Sequence, residues 1–191
     1  MQRMARPRTI NRDRVMDCAE QLVQRDGAVA LTLDAVAREA GITKGGLQYC
    51  FGCKDDLIAA LIDRWIASFE ADVRQHTPPN ASAADKVRAY VQVCAQMDEA
   101  TRTRIVGTLM TLLHSPDHLR RIRDWYTGWL THDFCHSDEA RQIRTMFFAA
   151  EGAFFLRSFG FITMQDKEWH DAFADIQRLI MPASPAEAAD A

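Results

Sequence analysis

Lys44, Gly45, Gly46, Gln48 and Tyr49 fall within six consecutive positions, directly after Thr43. These residue types carry a recognisable chemistry when one short helix turns them outward. Glutamine pairs bidentately with adenine, lysine meets guanine or phosphate, and a tyrosine hydroxyl meets phosphate. The adjacent glycines are poor helix formers, each costing about 1 kcal/mol relative to alanine. They make sense where a backbone approaches a partner closely. The implied partner is the major groove of a nucleic-acid duplex.

Three other constellations carry weaker chemistry. Cys50-Phe-Gly-Cys53 has the spacing of a redox pair, but no βαβ context surrounds it, and Lys54 stands where a haem-attachment motif has histidine. His114 and His118 have metal-ligand spacing, interrupted by Pro116, and His132, Cys135 and His136 cluster at an expected helix end. A thiol- or metal-responsive switch built on these residues is the alternative reading. No phosphate-binding loop, nucleophile elbow or dinucleotide fingerprint is present, so neither an enzyme nor a cofactor is expected.

The elements that position the first group are helical. Apolar residues recur at a period near 3.6, and strand-like alternation is almost absent, which predicts an all-α chain. The pattern predicts a helix over 12–25, stopped by Gly27 in a left-handed C-terminal position. A short helix capped by Thr32 and ended by Gly41 follows, then one capped by Thr43 over 44–50. Two short helices joined by a glycine-containing turn form a helix-turn-helix. A longer helix is expected over 54–75, closed by Pro78 and Pro79. Five more are expected over 82–98, 101–113, 116–132, 138–160 and 167–180, with Ser137 and Asp166 as caps, making nine in all.

Residues 11–62 resemble the DNA-binding domain of the TetR family of transcriptional regulators. The matching residues are Ala19, Leu22, Gly27, Thr32, Val36, Ala37, Ala40, Gly41, Ile42, Thr43, Lys44, Gly45, Leu47, Tyr49, Phe51, Lys54 and Leu57. Gln48 departs from a usual aromatic, Cys50 from His or Tyr, and Cys53 from a Ser or Asn cap, which implies altered base preference and a looser following helix. The resemblance implies that Thr32, Thr43, Tyr49 and Lys54 contact phosphates. Lys44, Gly46 and Gln48 would approach base edges, and Arg6 or Arg8 would enter the minor groove.

It further implies a DNA-binding domain over 1–53, with a basic N-terminal arm. A ligand-binding and dimerisation domain would occupy 54–191, entered through the helix 54–75. Homodimers would form through the last two helices, and a small-molecule effector would release a repressor from a palindromic operator. The run 146–156 is apolar nearly all round, as a helix buried against both its own bundle and a partner would be. Trp65, Met97, Met110, Trp125, Trp129, Phe147 and Phe155 are the apolar candidates for a ligand pocket. Glu99, His114, Glu151 and Arg157 are candidate polar handles; an acidic handle favours a cationic effector and Arg157 an anionic one.

Charge needs reading locally. The 191 residues carry 23 Lys and Arg against 26 Asp and Glu, a net charge of -3 that by itself points away from nucleic acid. Yet Arg3, Arg6, Arg8, Arg12 and Arg14 stand against Asp13 alone in the first fourteen positions, a basic arm on an acidic body. A hydrophobic content of 48% excludes a disordered chain. No apolar stretch approaches the roughly 20 residues that span a bilayer, and no secretory leader is visible. Five scattered cysteines suggest no disulfide framework, so a reduced, cytoplasmic protein is expected.

Overall fold

The structure, a computed structural model, describes residues 10–112, 115–130 and 137–179. Among these, nine α-helices occur and no strand: α1 (Arg12–Asp26), α2 (Leu33–Ala40), α3 (Lys44–Phe51), α4 (Lys54–Gln75), α5 (Ala83–Gln96), α6 (Glu99–Leu112), α7 (Pro116–Leu130), α8 (Asp138–Ser158) and α9 (Asp166–Arg178). A 3-10 turn at Ala28–Ala30, which the sequence pattern does not announce, precedes α2. Contacts divide the chain into two compact units. One is Met1–Arg64 with Gly107–Leu119; the other is Trp65–Val106 with Arg120–Ala191.

In the first unit the apolar stripe of α1, Val15, Ala19, Leu22 and Val23, is buried with Val36, Ala37 and Ala40 of α2. Leu47 and Phe51 complete this core from α3, and Leu57, Ile58, Leu61 and Ile62 from the first half of α4. The α2–α3 turn depends on Gly41, at φ 66° and ψ 34°, whose N–H donates to Ala37 and Arg38. Ile42 N–H also returns to the Ala37 carbonyl at 2.9 Å, closing the helix end as a left-handed cap does. Gly27 differs from expectation. Its φ of 77° is positive, but its ψ of 175° is extended, because the chain must lead straight into the 3-10 turn. Arg64 anchors α4 to α1 through Asp17 at 2.7 Å and Glu20 at 2.6 Å.

The second unit is organised around α5, whose Val87, Tyr90, Val91 and Cys94 are buried, and which packs on α8 and α9. Ile143, Met146, Phe147, Ala150 and Phe154 form the inward side of α8. Trp169 and Phe173 of α9 are each 1% exposed, and Trp169 Nε1 donates to the Ala95 carbonyl at 2.9 Å. Ser82 and Asp85 cap each other's backbone at the start of α5, a reciprocal box that fixes where the helix begins. Ser137 caps α8 as expected. The cap of α9 is Gln165 rather than Asp166, since Glu168 accepts the Gln165 N–H at 2.8 Å and so shifts the start by one residue.

Candidate functional site

The first site is α3. Thr43 caps it, its hydroxyl oxygen accepting the Gly46 N–H at 3.0 Å. Thr32 caps α2 in the same way, accepting from Ala35 at 3.1 Å. Each hydroxyl keeps its own proton to donate outward, beside the unpaired N–H groups of a helix start. From α3, Gln48 and Tyr49 are exposed, Tyr49 at 92%. A tyrosine so exposed packs against nothing in its own chain, so its contribution must lie elsewhere. Lys44 is exposed too, and its Nζ lies 2.8 Å from Asp34 Oδ2.

The two glycines separate in role. A Cβ at Gly45 would meet nothing within 4 Å, whereas one at Gly46 would stand 2.8 Å from Ile10 Cδ1 and 3.2 Å from Thr43 Oγ1. Gly46 therefore answers to the cap and to Ile10 within its own chain, a reason that the sequence reading did not contain. Lys54, half-buried, begins α4. Arg6 and Arg8 lie outside the described residues.

The α3–α4 turn is closed by a device that the Cys53 substitution obscures. Asp56 accepts from Cys53 N–H at 3.1 Å and from Cys53 Sγ at 3.0 Å. These two bonds hold the Asp56 carboxyl below the usual carboxylate range. The helix start is thus closed from its third residue, in place of the looser start expected from a thiol at the cap. Arg12 supports the other side of the turn, its guanidinium 4.3 Å from the Phe51 ring centroid and donating to the Cys50 carbonyl. Cys18, Cys50, Cys53 and Cys94 are free thiols, and among the described residues no three His, Cys, Asp or Glu side chains group to hold a metal. His118 is buried with Nε2 3.7 Å from Asp55 Oδ1, while His114, His132, Cys135 and His136 lie outside the described residues.

The second site is an aromatic cluster in the second unit with a cavity beside it. Trp65, Phe69, Tyr90, Trp125, Trp129 and Phe147 form a continuous network with ring centroids 4.9 to 6.4 Å apart. Beneath it sits Glu151, which accepts from the Tyr126 hydroxyl at 2.6 Å and from the Tyr90 hydroxyl. Burial pushes the Glu151 carboxyl up, with the Tyr126 and Tyr90 donors pulling against that shift. The cavity, about 430 Å³, is lined by Glu70, Lys86, Asp124, Trp125, Gly128 and Trp129, with Ala83, Val87 and Ile143 between them.

Of the residues expected to line a pocket, Trp125 and Trp129 face this cavity. Trp65 and Phe147 support them from within the cluster, and Glu151 reaches it only through the tyrosines. Met97 lines a separate cavity of about 300 Å³ with Asp72, His76 and Asp98. Phe155 stacks on Phe159 instead, and Arg157 pairs with Asp166 at 2.9 Å. Glu99 is exposed; the side chain of Met110 and all of His114 lie outside the described residues. Glu70, Lys86, Asp124 and Gly128 were missed because their convergence spans more than fifty positions. The one local signal is that Asp124-Trp125 and Gly128-Trp129 repeat with a spacing of four, which places them on one helix face.

Residues 15–61 match the model of the bacterial regulatory proteins of the tetR family, and residues 84–181 match the tetracyclin repressor-like C-terminal domain. The chain is 30% identical over 138 residues to the HTH-type transcriptional regulator BetI of Paraburkholderia phytofirmans, covering 67% of each chain. It is 30% identical over 69 residues to an uncharacterised HTH-type transcriptional regulator of Xanthobacter autotrophicus, 36% of this chain and only 34% of that one. The structure of the multidrug binding protein EbrR complexed with imidazole aligns with a TM-score of 0.64 at 20% identity, covering 92% of this chain and 97% of that one.

Proposed function

The chain belongs to the TetR family of transcriptional regulators, DNA-binding proteins rather than enzymes, and from that premise we propose that it is a homodimeric repressor released from a palindromic operator by a small molecule. The single observation that carries the DNA half is the capped α3, which projects Lys44, Gln48 and a 92% exposed Tyr49 beyond a core that needs none of them. In this reading residues 1–53 form the DNA-binding domain. Lys44, Gly46 and Gln48 approach base edges, while Thr32, Thr43, Tyr49 and Lys54 hold phosphates and Arg6 or Arg8 enters the minor groove.

The dimer half rests on exposed apolar side chains. Phe148 is 54% exposed and Phe161 74%, with the exposed Leu156 and Phe159 between them in sequence. Phe155, Phe159 and Phe161 stack in series, with rings within 26° of parallel. Beyond its chain neighbours and its own helix backbone, Gly152 has nothing within 4 Å of its Cβ position, so a partner helix has room to approach. Two protomers joined here would present two copies of α3 to successive major grooves, about 34–36 Å apart.

Residues 54–191 would then hold the effector, which acts only so far as it binds one conformation better than the other. The structure of EbrR with a bound small molecule supports this use of the fold. Selecting bound duplexes from a random pool is the test. An inverted repeat should emerge for the wild type, and Lys44→Ala with Gln48→Ala should lose it while the dimer persists. Enrichment of no sequence, or of the same sequence by both proteins, refutes the assignment.

A further inference from the structure

The charge of the effector follows from the cavity walls. Trp125 and Trp129 stand with their rings 80° apart at 6.4 Å, an open corner rather than a stack. Tyr90 closes the inner side of that corner, 4.9 Å from the Trp129 ring. Both tryptophans line the cavity, and the face of a tryptophan ring attracts a desolvated cation. Two carboxylates, Glu70 and Asp124, share the wall with one lysine, Lys86. Glu70 is aimed rather than free, because its Oε1 accepts from Trp125 Nε1 at 3.1 Å while Oε2 lies 3.6 Å from Arg74. A third carboxylate, Glu151, lies behind Tyr90 and Tyr126.

We propose that this cavity binds an organic cation, a quaternary or protonated amine carried on an aromatic group, with its charge in the corner between Trp125 and Trp129 and facing Glu70 and Asp124. The proposal rests on the effector reading above. The cavity volume of about 430 Å³ admits a ligand of small drug size. A neutral ligand would use the rings but gain nothing from Asp124, and an anion would meet two carboxylates against Lys86.

Phenyltrimethylammonium, its neutral isostere tert-butylbenzene, and benzoate serve as probes, followed by tryptophan fluorescence and calorimetry on the full chain. The cation should bind about tenfold more tightly than the isostere, and benzoate more weakly than either. The double variant Glu70→Gln, Asp124→Asn should erase the cation's margin while leaving the isostere unchanged. Gly128→Leu, placed where nothing beyond its chain neighbours and own helix backbone lies within 4 Å of the Cβ position, should block both by filling the space. Equal binding of the isostere, preference for benzoate, or a margin that survives the double variant overturns the proposal. DNA binding is followed separately in the same samples. A cation that binds with the predicted selectivity yet leaves the DNA complex intact supports the cavity inference and refutes its role as effector site.

Discussion

Lys44 Nζ lies 2.8 Å from Asp34 Oδ2, so the first residue of α3 is held by the first turn of α2. A lysine so paired must exchange Asp34 for its DNA partner, and the aspartate left behind faces phosphate of like charge. Both side chains are more than half exposed, and such pairs contribute little to stability. Asp34→Asn should therefore leave folding nearly unchanged and tighten DNA binding by about two- to fivefold at low salt, with the gain fading as salt rises. Fluorescence anisotropy across a salt series checks this. Unchanged or weaker binding would show that Lys44 is not recruited to DNA.

Tyr49 and Thr43 separate binding from folding. Tyr49→Ala removes a side chain 92% exposed, so the unfolding free energy should change by less than about 0.5 kcal/mol. Its affinity for operator DNA should fall by about tenfold, the loss of one charge-assisted contact. Thr43→Ala removes the Gly46 N–H acceptor and should cost about 1 kcal/mol of stability without any DNA present. Chemical denaturation beside gel shifts distinguishes the two.

Glu151 predicts a pH dependence. Its carboxyl titrates above its ordinary value of 4.5 because burial disfavours the charge more than Tyr126 and Tyr90 stabilise it. The folded chain then holds this proton more tightly than the unfolded chain does. Its stability contribution is full below about pH 4.5 and is lost as pH rises through the raised value. Glu151→Gln, whose amide oxygen accepts from one tyrosine while its NH2 donates to the other's hydroxyl oxygen, should remove that loss. The variant should gain on the wild type as pH rises above about 4.5 in urea titrations. Parallel pH curves would place the charge on Glu151 in both states.

Phe148 and Phe161 predict the assembly. Replacing both with aspartate should leave helix content intact, since both side chains are more than half exposed in the monomer. Sedimentation should then report a monomer where the wild type is dimeric, with DNA affinity falling as the second half-site is lost. A dimer that survives both changes would move the interface elsewhere.

The pattern of apolar residues determined the nine helices to within two or three positions at most ends, because amphipathic period and caps are local properties. Thr32, Gly41 and Thr43 could be read as punctuation for the same reason: each bond that they make returns to a neighbour within four residues. The misreadings at Gly27 and Asp166 are local as well, decided by which adjacent group takes the last backbone donor.

The tertiary structure decided what depends on distant partners. Nothing near Glu70 announces Trp125, 55 positions away, and nothing near Glu151 announces Tyr90, 61 positions away. Whether an aromatic on a helix lines a cavity, fills a core or remains exposed is settled only when the helices pack. Trp129, Phe147 and Phe148 went one way each. The exposed group on α3 could be read from short spacing, because one or two helix turns are enough to bring Lys44, Gln48 and Tyr49 together. The cavity beside Trp125 and Trp129 is assembled from four helices, so its walls exist only in the folded chain.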